Sequence, residues 1–121
     1  MIDHLGIYVK DLKRSKNFYQ KTLVPLGYQL AFENEEVISF LAPDSPHPGG
    51  DFWIGIGESQ PIHLAFLAQT CDAVDRFYQA GLQVGARDNG APGYRESYHP
   101  PYYAAFLLDP DGNNIEAVCH K

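Results

Sequence analysis

With 121 residues and a formal charge of −6, the chain is sized for one domain, or for two small modules that share a core. The acidic balance argues against nucleic acid and against anionic membrane surfaces as partners. No run is long and apolar enough to span a bilayer. The opening MIDHLGIYV lacks the charged start and apolar core of a signal peptide. Cys71 and Cys119 make no disulfide framework and no zinc spacing. A cytoplasmic protein with both thiols reduced is the expectation.

In chain order, residues 2–9 read as a strand and lead into a helix that Asp11 is placed to cap. Leu12, Ser15, Phe18, Tyr19 and Thr22 or Leu23 recur at helical spacing and predict one buried stripe. Pro25 and Gly27 end that region. Three extended segments follow, at residues 28–33, 36–42 and 52–56. The Pro- and Gly-rich loop 43–51 separates the last two and carries His47, which is expected to be exposed. After Gln60-Pro61 the pattern starts again. A strand at 62–68 leads to a helix with Thr70 as its N-cap, Val74, Phe77 and Tyr78 as its stripe, and Gly81 as its C-terminal cap. Strands are then expected at 83–86, 102–108 and 114–119, with a long loop, 87–101, before the second of them.

The second half repeats the first. Placing His4 on His63, an offset of 63 − 4 = 59 residues, lays HLGIYVKDLKRSKNFYQ over HLAFLAQTCDAVDRFYQ without a gap. The expected fold class is α+β: two βαβββ modules, 1–59 and 60–121, in one domain. Neither is large enough to bury a full core alone, so the two should pack together, within the chain or between chains.

Side chains alternate faces along a strand. Leu5, Ile7 and Val9 share the face expected under the helix, which leaves His4, Gly6 and Tyr8 on the opposite face. In the second copy Leu64 and Phe66 oppose His63, Ala65 and Leu67. If Ile115 and Ala117 face a helix, Glu116 joins both histidines on the helix-free side. A single strand histidine is more often a hydrogen-bonded core residue, but two at equivalent positions shift the reading. A carboxylate in an apolar strand also needs a partner. His4, His63 and Glu116 together have the 2-His-1-carboxylate composition of a metal site with open positions.

The paired strand-helix repeat, HLGIYVKDLKRSKNFY near the start and the ending FLLDPDGNNIEAV resemble the vicinal oxygen chelate superfamily. This is the glyoxalase, bleomycin-resistance and extradiol dioxygenase group, and the resemblance covers essentially the whole chain. It implies paired βαβββ modules forming a partly closed cup around a divalent metal. The ligands it implies lie on the first, fourth, fifth and eighth strands. His4 falls on the first, His63 on the fifth and Glu116, which would also serve in catalysis, on the eighth. The fourth-strand position falls near Trp53 or Ile54, neither of them a ligand. Asp51 is out of register and Glu58 lies past the strand end. This departs from glyoxalase I enzymes and looks more like extradiol dioxygenases or fosfomycin-type thiol transferases.

Further candidates surround this trio. Trp53 would stack on a flat or apolar substrate if it points into the cup. The 87–101 loop reads either as a surface loop or as a lid over the metal. Its functional reading gives Arg95 as an anion clamp, with His99 and Tyr103 as further substrate-binding residues. Cys119 is expected to pack as an apolar residue.

The resemblance implies an enzyme that binds a small oxygenated molecule by bidentate chelation to Fe, Mn, Ni or Zn. The reaction would be that of a lyase, isomerase, dioxygenase or thiol transferase. The alternative is a drug- or metabolite-binding protein without turnover. A homodimer is expected from the sheet edge and apolar rim that each module leaves.

Overall fold

A computed structural model describes residues 2–46 and 48–121, so the expectation for His47 falls outside it. The chain runs β1 (Leu5–Val9), α1 (Leu12–Leu23), β2 (Gln29–Glu33), β3 (Val37–Leu41) and β4 (Phe52–Ile56). The second module is β5 (His63–Leu67), α2 (Cys71–Gln83), β6 (Arg87–Tyr94), β7 (Tyr103–Leu108) and β8 (Asn114–Cys119). Each module is an open four-stranded mixed sheet, in the orders β1-β4-β3-β2 and β5-β8-β7-β6. The pairs β1–β4 and β5–β8 are parallel and the rest antiparallel. The fold is therefore two tandem βαβββ modules whose unclosed sheets suit a cup.

Both helices begin as the sequence predicts. The Asp11 carboxylate accepts from Arg14 N at 3.1 Å and the Thr70 hydroxyl from Ala73 N at 3.1 Å, each satisfying an amide with no partner inside the helix. The α1 stripe of Leu12, Ser15, Phe18, Tyr19, Thr22 and Leu23 is buried. It packs with the stripe of α2 in one core that both sheets share. Phe66 of β5 meets Phe52 of β4 at 5.3 Å and Tyr28 at 5.4 Å, ring to ring and edge-on. Two modules too small to be stable alone thus bury their helix faces against each other.

The DPDGN turn fastens this junction. Buried Asp109 accepts from Asp111 N at 2.9 Å, Asn113 N at 2.8 Å and Asn113 Nδ2 at 2.8 Å. It also accepts from the hydroxyl of Tyr19 in α1 at 2.5 Å. Burial, and then the Asp109 charge, hold the Tyr19 phenol well above its ordinary pKa. The most distinctive motif of the sequence is therefore a structural clasp between modules.

Two expectations are corrected. Gly81 does not cap α2. The helix continues to Gln83, and Gly85 takes the positive φ of 85°. Gly81 serves close approach instead, because a Cβ there would lie 2.2 Å from Leu107 Cδ1 on β7. The strand expected at 83–86 is instead β6, inside what reads as loop 87–101. Gly90, Pro92 and Gly93 suggest a turn, yet β6 is an edge strand with register shifts along its pairing to β7. Edges and bulges are where a sheet accepts Pro and Gly. The remaining loop is short and is closed by Arg95 N donating to Tyr102 O at 2.8 Å.

Candidate metal and substrate site

The second sheet fixes which side chains meet. Ala65 of β5 lies beside Glu116 of β8, and Glu116 beside Phe106 of β7. Ile115 and Ala117 point into the core, so Glu116 faces the helix-free side with His63, Ala65 and Phe106. Glu116 is only 2% exposed. A carboxylate so buried needs strong partners, and it has two. His63 Nε2 lies 3.0 Å from Oε2, and the Tyr102 hydroxyl donates to Oε1. Burial, followed by this bond to Glu116, pushes the Tyr102 phenol up to about 12.

His63 is itself oriented. Its Nδ1 lies 2.9 Å from Asn114 O, and a carbonyl can only accept, so Nδ1 carries the proton and Nε2 is turned to Glu116. A ring lone pair facing a carboxylate at this distance needs a proton or a cation between them. Two donors about 2.1 Å from one ion and at right angles would stand about 3 Å apart, the spacing seen here. His63 and Glu116 therefore fit as two adjacent ligands, with Asn114 O and Tyr102 as the outer partners such ligands need.

His4 stands apart from this pair. By strand alternation it lies on the helix-free side of the first sheet, with Gly6 and Tyr8, and its Nδ1 meets Asp3 Oδ1 at 2.6 Å. Among the described residues of one chain, no group of three or more His, Cys, Asp or Glu is placed to hold a metal ion. Of the three expected ligands, the fold brings two together.

Trp53 is paired with Gly6, as Glu116 is with Ala65. It therefore stands at the first-module position equivalent to Glu116, on the helix-free face. Its Nε1 donates to Gly50 O at 3.1 Å and its ring lies 6.0 Å from Phe32. Arg95 sits 5.4 Å above the Phe106 ring, whose other neighbour is the His63 ring at 6.2 Å. Its guanidinium donates to Gly93 O at 3.0 Å and Ala91 O at 2.8 Å. Arg95, Asn89, Tyr98, Phe106 and Asn114 line a cavity of 290 Å³ beside the histidine. His99 packs edge-on to Tyr102 at 5.2 Å and stacks on His120 at 5.3 Å.

Tyr103 lies on the other side of its sheet. It donates to Asp75 of α2 at 2.6 Å, so it serves the helix packing rather than the cup. Tyr102, not Tyr103, is the tyrosine that reaches Glu116. Its signal was parity, since Tyr102 and Phe106 share the face opposite the core residues Ala105 and Leu107.

The fold and this histidine–carboxylate pair define a class: proteins built from paired βαβββ modules with polar groups on the helix-free sheet face. The family model of the Glyoxalase/Bleomycin resistance protein/Dioxygenase superfamily matches residues 1–117. A solved glyoxalase/bleomycin resistance protein from Albidiferax ferrireducens T118 is 30% identical, with a TM-score of 0.80 over 98% of each chain. A family enzyme from Burkholderia phytofirmans PsJN is 19% identical, with a TM-score of 0.73 over 99% of this chain and 98% of that one. A lactoylglutathione lyase from Agrobacterium tumefaciens is 15% identical, with a TM-score of 0.72 over 98% of this chain and 92% of that one. The last two likenesses speak to the fold alone. No curated protein matches. The chain belongs to the glyoxalase/bleomycin resistance protein/dioxygenase superfamily. No helix among the described residues is long and apolar enough to cross a membrane.

Proposed function

We propose that this protein is a divalent-metal-dependent enzyme acting on a small oxygenated molecule, with His63 and Glu116 as two of the ligands. The observation that carries this reading is the 3.0 Å approach of His63 Nε2 to a carboxylate 2% exposed. Within one chain His4 is not part of that pair, so the third ligand is assigned to His4 of a second copy. The helix-free face of the first sheet exposes Tyr8 and Phe32 around Trp53. That of the second exposes Leu67 and Tyr98 around the ligand pair. An apolar face of this kind is stabilised when another sheet covers it, so a homodimer completes the cup.

When bound, the metal supplies Lewis acidity to a substrate that offers two adjacent oxygens. The chain's own groups do the rest. Asn114 O and Tyr102 hold the ligands in place. Trp53 and Phe106 give flat apolar walls, and Arg95 places positive charge at the rim. Glu116, the carboxylate paired with His63, is the candidate to take or return a proton.

The competing reading is sequestration of a ligand without turnover, and it draws on the lack of a three-ligand group among the described residues of one chain. Metal content separates the two. Purified protein should hold close to one divalent ion per chain, and His4→Ala, His63→Ala and Glu116→Gln should each hold at least tenfold less. A metal-free wild-type protein after growth and dialysis with Mn, Fe, Ni and Zn would leave the binding-protein reading standing. Sedimentation should show a dimer at micromolar concentration, and a monomer would remove the assignment of His4 to a second copy.

A further inference from the structure

The two cysteines of the chain meet on the helix side of the second sheet, opposite the ligand pair. Cys71 is the first residue of α2 and is half-buried, while Cys119 closes β8 and is fully buried. They are 119 − 71 = 48 residues apart in sequence. Cys71 Sγ donates to the Lys121 main-chain oxygen at 3.7 Å, just past Cys119, and lies 4.0 Å from the Tyr94 hydroxyl. Tyr94 donates to the same main-chain oxygen at 3.3 Å. Cys119 belongs to the buried core cluster and Cys71 packs against that cluster, where the two thiols interact. Burial first, and then this interaction, push the Cys119 thiol up from its ordinary pKa. Two packed thiols behaving as small apolar groups would account for Cys119. They do not account for Cys71, which opens to solvent and keeps its sulfur turned to the end of β8.

We infer that Cys71 and Cys119 form an oxidation site, closed to an intramolecular disulfide by a peroxide and reopened by a small thiol. Exposure sets the order of events. The Cys71 sulfur attacks one oxygen of hydrogen peroxide and the O–O bond breaks. Cys71 becomes a sulfenic acid, and the departing oxygen leaves as water with the thiol proton. The Cys119 sulfur then attacks the Cys71 sulfur. Hydroxide leaves and takes the Cys119 proton as a second water. In sum, two thiols and one peroxide give one disulfide and two waters. The bond ties the start of α2 to the strand that carries Glu116. A resolving thiol at Cys119 also protects Cys71 from further oxidation.

The test uses the intact wild-type protein. It is reduced, desalted, exposed to a modest excess of hydrogen peroxide, alkylated and mapped by mass spectrometry. The expected result is loss of both alkylatable thiols, an intact mass lower by two hydrogens, and one cross-linked peptide pair joining Cys71 to Cys119. Dithiothreitol should restore both thiols. Cys119→Ala should carry Cys71 on to sulfinic acid, whereas Cys71→Ser should leave Cys119 unmodified over the same interval. The inference is overturned if both wild-type thiols stay alkylatable, if Cys71 reaches sulfinic acid while Cys119 stays free, or if the only disulfides join separate chains. The wild-type map alone decides the matter if a variant does not fold.

Discussion

Gly6 lies beside Trp53 in the first sheet, where Ala65 lies beside Glu116 in the second. The strands match, the small residues match, and His4 and His63 stand two residues before them. What differs is the cross-strand partner: an indole in one module and a carboxylate in the other. The offset between Trp53 and Glu116 is 116 − 53 = 63 residues, four more than the 59 between the histidines. The modules thus drifted in loop length as well as in side chain. One half became a polar site and the other an aromatic wall. A duplicated scaffold positions two histidines alike, but chemistry follows from what each one faces.

The largest expected effect concerns the loops that close the two central strand pairs. Asp109 accepts four hydrogen bonds while buried, one of them from the other module. Asp51, in the corresponding loop of the first module, is half-buried and its side chain accepts from Ala42 N at 2.8 Å and Ser45 Oγ at 2.9 Å. Asp109→Ala should cost about 3–4 kcal/mol of unfolding free energy, since it strands buried donors, and Asp51→Ala only about 1 kcal/mol. Urea denaturation measures both, and equal losses would break the asymmetry.

Next come two changes at the site. Trp53→Glu writes the second module's carboxylate into the first, beside His4. It should tighten divalent-metal retention by about tenfold in a chelator competition. Unchanged retention would mean that the two sheet faces are not equivalent around the ion. Tyr102→Phe removes the donor to Glu116 Oε1 without changing the ring. It should weaken metal retention by about tenfold with the fold intact by circular dichroism.

The smallest effect lies on the helix side. Tyr103 is pushed up to about 12, first by its bond to Asp75 and then by burial. The folded state therefore favours the neutral phenol more than the unfolded chain does, where it titrates near 10. Its stabilisation is fully present below about pH 10 and is lost as pH rises from there through about 12. Thermal midpoints measured across that window should fall less steeply in Tyr103→Phe than in the wild type. Parallel curves would show that Tyr103 does not contribute.

Much of the architecture was legible from the residues alone. Periodicity, the two caps and the 59-residue repeat set the order of elements and the parity of each strand, because these depend on neighbours close in sequence. Parity alone put Glu116 opposite the core. Composition misled at β6, where Gly90, Pro92 and Gly93 look like a loop and become an edge strand through pairing with β7. Only the folded chain decides such a case, since an edge strand's hydrogen bonds come from a partner far along the sequence. The same holds for the clasp of Asp109 on Tyr19, for Tyr102 rather than Tyr103 at Glu116, and for the meeting of Cys71 with Cys119. A sequence fixes which face a side chain takes on its own strand. Which groups arrive opposite it depends on register and on the packing of one module against the other, and these follow from the shared core rather than from any local pattern.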